Sequence, residues 1–292
     1  MSTLGIFPGT AYQPQEEEYF NDGREIALLH FIYNHPKLDE IRGNPQKVID
    51  AIDEYGKTKK YLMNVGEFKS GIVTELIKEV RPQVMVELGG YVGYSAIVFG
   101  AAFREAGGKK YYSLEYSPEF GAVISSLVDL AGLHDVVQVE IGTSSSSLRR
   151  LHANGTLKKI DMLFLDHLKP LYVRDLKLCE ELSLVGPGSV LAADNVVKPG
   201  NPPYLKYVRS TVEMKRQEYQ KATAGADPLS LPDRAKHVYK TDAGGEVSET
   251  DLFGNPNLVY ASKFIEGWEP SGVPDAVEIT RCTAVEGYSN GV

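Results

Sequence analysis

Apolar residues fall into two rhythms along this chain. From Asn21 or Asp22, either of which can cap, Ile26, Leu29, Ile32 and Tyr33 recur at helical spacing. Pro45 opens a second such stretch, with Val48, Ile49, Ile52 and Tyr55 on one face. A third follows Gly66, with Ile72, Val73, Leu76, Ile77 and Val80, and stops before Pro82. Three helices are therefore predicted ahead of the first strand. From Val84 the rhythm alternates. Residues 84–88, 110–115, 136–141, 161–166 and 188–194 read as strands. The stretches between them, 94–105, 118–131, 145–152 and 170–184, read as helices. Strands separated by helices of this length predict βαβ units and a mostly parallel sheet. Beyond Asp194 the order breaks. One short helix near 204–212 is followed by a polar segment, 211–256, interrupted by Pro228, Pro232, Gly244, Gly245 and Pro256, which reads as an insertion. Residues 257–264 and 275–282 read as two closing strands. Residues 1–17, with Pro8, Pro14 and the acidic run beginning at Glu16, read as a flexible arm, leaving 18–292 as a single domain.

Composition narrows the function classes. With 292 residues, 42% of them hydrophobic and 24% charged, the chain can bury one large α/β core. A net charge of -8 argues against nucleic acid as a partner held by bulk electrostatics. The most apolar run, 91–103, is too short to span a bilayer, and the first 20 residues lack a basic-then-apolar leader, so no membrane association is expected. Cys179 and Cys282, the two cysteines, lie in segments that read as packed, which suits free buried thiols in a reducing, cytoplasmic compartment.

The chemistry gathers at strand ends. Val84 to Leu88 runs into Gly89-Gly90-Tyr91-Val92-Gly93, a turn in which Gly89 and Gly93 let backbone approach a ligand closely. Glu115, ending the next strand, stands where such sheets bind ribose hydroxyls. The turn lacks the full G-x-G-x-x-G spacing, so alone it is a weak signal. The strand 161–166 ends in Asp166, and the strand 188–194 ends in Asp194 followed by Asn195. In open α/β sheets ligands sit outside the carboxyl ends of the strands, so these three side chains should converge near Gly89. Singly, an acid at a strand end usually caps a turn. Paired on successive strands, two carboxylates and an amide oxygen suit Mg²⁺. Lys169 stands at the rim of the same site; a lysine beside a divalent cation is disfavoured in its charged form, which suits a general base. His167 has neither a cysteine nor a second histidine at zinc-ligand spacing and reads as lining the cofactor pocket.

Four separated motifs carry a resemblance. Met63-Asn64-Val65-Gly66, the run from Glu87 to Ser95, Leu165-Asp166-His167-Leu168-Lys169, and Ala193-Asp194-Asn195-Val196 with Pro199-Gly200 together resemble the catechol O-methyltransferase family. The likeness covers about 20–212 and resumes at 257–282. It implies a Rossmann-like, seven-stranded methyltransferase sheet, mostly parallel with an antiparallel last strand and helices on both faces, in a monomer using S-adenosylmethionine and Mg²⁺. It places Glu115 on the ribose and Glu87, Gly89, Tyr91 and Ser95 around the methionine part, with Val65, Tyr116, Ser144, Asp166 and His167 also lining the cofactor. Asp166, Asp194 and Asn195 become metal ligands, Lys169 the base and Met63 a wall beside the transferred methyl. Tyr61 and Leu168 stand where the family carries tryptophans, Asn195 and Pro199 complete the substrate side, and Tyr260 aligns with the acid that holds the second catechol hydroxyl. The insertion has no counterpart in the animal enzymes. The expected activity is methylation of one hydroxyl of a catechol-type aromatic diol. A methyltransferase for a larger natural-product phenol is the alternative within the class. A nicotinamide-dependent oxidoreductase is disfavoured by the incomplete glycine fingerprint, and a non-catalytic cofactor-binding protein by the complete set of reactive residues.

Overall fold

A computed structural model describes residues 4–223 and 252–287. Seven strands form one sheet in the order β3-β2-β1-β4-β5-β7-β6. The central strands are β1 (Val84–Leu88), β2 (Lys110–Glu115), β3 (Val137–Ile141), β4 (Met162–Leu165) and β5 (Val190–Ala193), all parallel. Between them lie α5 (Tyr94–Glu105), α6 (Pro118–Leu130), α7 (Ser144–Ala153) and α8 (Tyr172–Glu181). β7 (Pro274–Val285) runs antiparallel to both β5 and β6 (Leu258–Trp268). Successive strand residues point to opposite faces, and both faces are covered. Met85, Tyr111, Phe164 and Ala192 pack on one side with helices from the first half of the chain, while Val86, Leu114, Leu163 and Leu191 pack on the other with α7, α8 and α9 (Pro202–Arg209).

Among the described residues four helices, not three, precede β1: α1 (Arg24–Tyr33), a single-turn α2 (Leu38–Ile41), α3 (Pro45–Thr58) and α4 (Gly66–Val80). One turn is too short to leave a periodic signature. The expected insertion also begins later than read, because α10 (Val212–Thr223) is helical with Val212 and Lys215 buried. The rest of it, 224–251, lies outside the described residues. β6 and β7 are longer than the periodicity suggested. Gly267 lies inside β6, where an added Cβ would stand 2.9 Å from Cγ of Lys69. The glycine makes room for that lysine stem.

The flexible arm is a second correction. Residues 4–20 have no regular secondary structure, but they are bound to the domain. The Tyr12 amide donates to Pro270 O at 2.9 Å, and the Gln13 amide to Gly56 O at 2.8 Å. Phe7 packs edge-on against Phe68 and Trp268. Further along, the buried Arg24 guanidinium gathers Glu16, the Glu18 carbonyl and Asp22 on one side and donates to Tyr61 O at 2.7 Å on the other. Burial of Tyr12 and the ring contacts of Phe7 supply the apolar contact that composition alone did not reveal.

Phe164 is fully buried in β4 and meets Phe99 of α5 at a centroid distance of 5.0 Å, nearly perpendicular. Phe164→Ala would lose that pair and leave a cavity, so urea denaturation should show a loss of about 3–5 kcal/mol.

Candidate active site

The register sets the geometry. Leu165 pairs with Ala193, so the next residues, Asp166 and Asp194, emerge side by side from neighbouring strands. The Asp194 amide donates to Leu165 O at 3.0 Å. Gly89 follows β1 with φ +89°, and a Cβ there would lie 2.7 Å from Asp166 O and 2.9 Å from His167 Cα. Only glycine lets the β1 turn and the end of β4 approach this closely. Because β7 runs antiparallel to β5 and Ala193 pairs with Glu278, the hairpin end that joins β6 to β7 overhangs the C-terminal end of β5. That overhang brings Glu269 and Asp275 into the site.

Lys69 of α4 is fully buried at its centre. Its Nζ lies 2.6 Å from Glu269 Oε1, 2.8 Å from Asp275 Oδ2, and 2.7 and 2.8 Å from Oδ1 and Oδ2 of Asp194. Burial works against the charge on Lys69, but Asp194, Glu269 and Asp275 outweigh it and hold the proton well above the ordinary lysine range. The acids diverge. Burial pushes Glu269 well above the carboxylate range, with the charge of Asp194 adding to it against Lys69. Burial also opposes ionisation of Asp275, yet Lys69, Glu269 and the Lys198 amide lower it to about 2. Asp194 rises to about 6 through burial, with Lys69 opposing and Asp166 adding to the rise.

The donor set fits a divalent cation. Lys69 approaches both oxygens of Asp194, but only Oδ2 lies along a hydrogen-bonding direction, and the buried Oδ1 keeps no hydrogen-bond partner. Asn195, in left-handed conformation at φ 57°, donates Nδ2 to Glu269 at 2.6 Å and to Asp275 at 3.1 Å. That assignment turns its amide oxygen away from both acids. Asp166, Asp194, Glu269 and Asp275 gather four carboxyl groups around Lys69 and Lys169, with Glu269 held towards its neutral form by burial. Among the described residues no three acidic, histidine or cysteine side chains form a metal cluster by themselves. Two carboxylates and an amide are the donors at hand, hard oxygens of the kind Mg²⁺ takes together with water.

Lys169 is tethered beside them. Its Nζ donates to Asp166 Oδ1 at 2.9 Å and to the Tyr172 hydroxyl at 2.8 Å, and that hydroxyl in turn donates to Asp194 O. His167 stacks on the Tyr172 ring and pairs through Nε2 with Asp175 at 2.9 Å, leaving the buried Nδ1 without a hydrogen bond.

On the other side of Gly89, the Glu115 carboxylate accepts from the Gly90, Tyr91 and Ser117 amides, so it braces the glycine turn besides facing a ligand. Glu87 is fully buried, and its oxygens accept from Ser113 and Tyr111 at 2.5 and 2.7 Å. Burial raises its carboxyl to about 7, against hydrogen bonds from Ser113, Tyr111 and Ser95. Tyr91, with positive φ, donates its hydroxyl to the buried Glu25 at 3.0 Å. Val65 is buried before α4, Ser144 opens α7, and Tyr116 is exposed after β2. Tyr61 is buried, Met63 half-buried, and Leu168 and Pro199 exposed.

Tyr260 does not join them. It pairs with Cys282, level with the opposite end of β5, and its hydroxyl donates to Glu180 at 2.6 Å. The site end of this hairpin instead carries Glu269 and Asp275 against Lys69, and the sequence reading missed Glu269 because an acid in a Pro- and Gly-containing turn reads as solvated. Lys69 left a clearer trace: it falls on the stripe of Val73, Leu76 and Ile77, where a lysine on an apolar helix face asks for a buried partner.

Residues 86–196 match the sequence family described as a methyltransferase domain. Catechol O-methyltransferase from Mus musculus is 36% identical over 207 residues, covering 71% of this chain and 76% of that protein. The enzyme of the same name from Bos taurus is 34% identical over 223 residues, covering 74% and 80%. The chain belongs to the catechol O-methyltransferase family. It is an S-adenosylmethionine-dependent O-methyltransferase acting on a small molecule. In fold, the enzyme matches an O-methyltransferase from Bacillus cereus in complex with SAH, at TM-score 0.54 and 17% identity over 88% of this chain and all of that one. It also matches an O-methyltransferase of tomaymycin synthesis from Streptomyces achromogenes in complex with SAM, at TM-score 0.52 and 20% identity over 90% and 99%. No helix among the described residues is long and apolar enough to cross a membrane.

Glu87 gives the enzyme a pH signature. Its folded carboxyl titrates near 7, above the 4.5 of an exposed glutamate, so between those values the fold keeps a proton that the unfolded chain has released. Stability therefore falls as pH rises through this window. Urea midpoints of the ligand-free protein between pH 5 and 8 should fall more steeply than those of Glu87→Gln, which lacks the titration.

Proposed function

We propose that the enzyme methylates one hydroxyl of a catechol-type aromatic diol with the help of Mg²⁺. The observation that carries this reading is the convergence of Asp166, Asp194 and Asn195 on adjacent strand ends, with Glu269 and Lys169 on either side. The curated relatives named as catechol O-methyltransferases point the same way. In this reading Asp166, Asp194 and Asn195 hold Mg²⁺. When bound, S-adenosylmethionine supplies the methyl on its sulfonium and Mg²⁺ supplies positive charge for the two diol oxygens. The chain's own groups do the rest. Lys169 takes the proton from the acceptor hydroxyl at Nζ, with Asp166 and Tyr172 fixing where that nitrogen stands. Glu269 holds the second hydroxyl, the place that the resemblance assigned to Tyr260. Met63 and Tyr61 wall the ring, and Glu87, Gly89, Tyr91, Ser95, Glu115 and His167 orient the cofactor. Most of the rate acceleration then comes from holding two reactants in near-attack geometry.

A larger phenolic substrate is the second reading, favoured by one observation: Leu168 and Val197 are 38% and 49% exposed, which leaves the rim of the acceptor side open. The buried free thiols Cys179 and Cys282 support a cytoplasmic setting, and a monomer is the state the resemblance implies.

The deciding experiment is mass spectrometry of products from simple catechols, larger diols and monophenols, with and without EDTA. Diols alone should be methylated, and only with Mg²⁺; monophenols converted as fast as diols would overturn the chelation reading. Asp194→Asn should lower turnover by roughly two orders of magnitude or more while calorimetry finds S-adenosylmethionine affinity little changed. Lys169→Met should cost about 10²–10⁴ in kcat, the usual weight of a general base, and Lys169→Arg should not restore it because guanidinium stays protonated. Wild-type turnover in the Met variant would assign the proton to another group.

A further inference from the structure

The hairpin end bearing Glu269 is held from outside the methyltransferase core. From Trp268 to Val273 it is closed on itself by the Glu269 amide donating to Val273 O and the Gly272 amide to Glu269 O. Residues 7–13 lie along its outer side. Phe7 packs on Trp268 at a centroid distance of 5.6 Å and on Phe68 of α4 at 5.2 Å, and a Cβ on Gly272 would lie 3.3 Å from its ring. The Tyr12 amide holds Pro270 O, the peptide next to Glu269. The Tyr12 side chain then anchors this segment: its hydroxyl bonds Asp53 of α3 and accepts from Asn64, and its ring fills the space that a Cβ on Gly56 would need. Inside the turn, Pro270 sits against Gly66, where a Cβ would lie 2.6 Å from Pro270 Cγ. The turn is thus clamped between the Met63–Gly66 run and residues 7–13.

We propose that residues 7–13 are a positioning strap for the acceptor side of the active site, fixing the Trp268–Val273 turn and with it the Glu269 carboxylate. Neither Phe7 nor Tyr12 touches substrate; they act through Glu269. The proposal rests on the reading that Glu269 holds the second hydroxyl. Phe7 touches the turn and Phe68 of α4, whereas Tyr12 also bonds Asn64 beside Val65, so Phe7→Ala is the variant whose effect should fall on acceptor binding and leave cofactor binding intact.

The test compares the full chain with Phe7→Ala, with a chain starting at Pro14, and with Ile6→Ala as control, since Ile6 is 95% exposed. With a simple catechol, Phe7→Ala and the shortened chain should raise KM about tenfold with kcat within about threefold, and in Phe7→Ala S-adenosylmethionine affinity should be unchanged, the pattern of a loss in ground-state acceptor binding. A peptide of residues 4–14 should restore KM in the shortened chain, and Ile6→Ala should behave as wild type. Should the shortened chain not stay folded, Phe7→Ala decides by the same split. An unchanged KM with only a lowered melting temperature would overturn the strap, as would a matching loss of cofactor affinity in Phe7→Ala. If the full chain methylates no diol, the acceptor reading fails by itself, and the strap is judged by Trp268, the sole tryptophan. Acrylamide quenching should then increase in Phe7→Ala with cofactor affinity unchanged, and unaltered quenching would overturn it.

Discussion

Negative charge concentrated at the C-terminal ends of β4 and β5 is the constraint around which the rest is arranged. Carboxylates repel one another in low dielectric, and burying them without a counter-charge costs several kcal/mol each. Lys69 meets that cost from inside the fold, reaching three acids from a helix that is not part of the sheet. Its position explains features that look unrelated. Gly267 is bare so that the lysine stem can pass, Asp275 is low because it shares Lys69 and two backbone amides, and Asn195 turns its nitrogen to the acids and its oxygen away.

The two halves of the site are built on different physics. On the cofactor side, backbone does most of the holding: Gly89 admits the end of β4, and Glu115 collects three amides of the turn and its neighbourhood. Such contacts are short in sequence and rigid. On the acceptor side, charged side chains from α4, β5 and the β6–β7 turn meet across 200 residues and more. That side depends on the hairpin's overhang and on whatever clamps the turn, and for this reason a segment ahead of the first helix bears on how an acceptor is gripped.

Much of this was legible in order along the chain. The alternation from Val84 onward named the parallel strands and their helices, because a strand covered on both faces must be apolar throughout. Asp166, Asp194, Asn195 and Lys169 could be found because each sits one to four residues beyond such a strand, where topology sends every side chain to one edge of the sheet. The buried cysteines followed from their packed surroundings.

Only the tertiary structure decided the rest. Glu269 and Tyr260 lie on or next to the same hairpin; the register of β7 on β5 sends one over the site and the other to the far end of the sheet. Residues 4–20 have the composition of a loose arm, and they are ordered by contacts with Gly56, Phe68, Trp268 and Pro270, partners scattered along the chain. Lys69 could be flagged as out of place on its helix, but which acids answer it depends on strands that arrive more than a hundred residues later. Periodicity reports what a residue's own element requires. Charge balance in a buried site belongs to groups that are neighbours only once the sheet has closed.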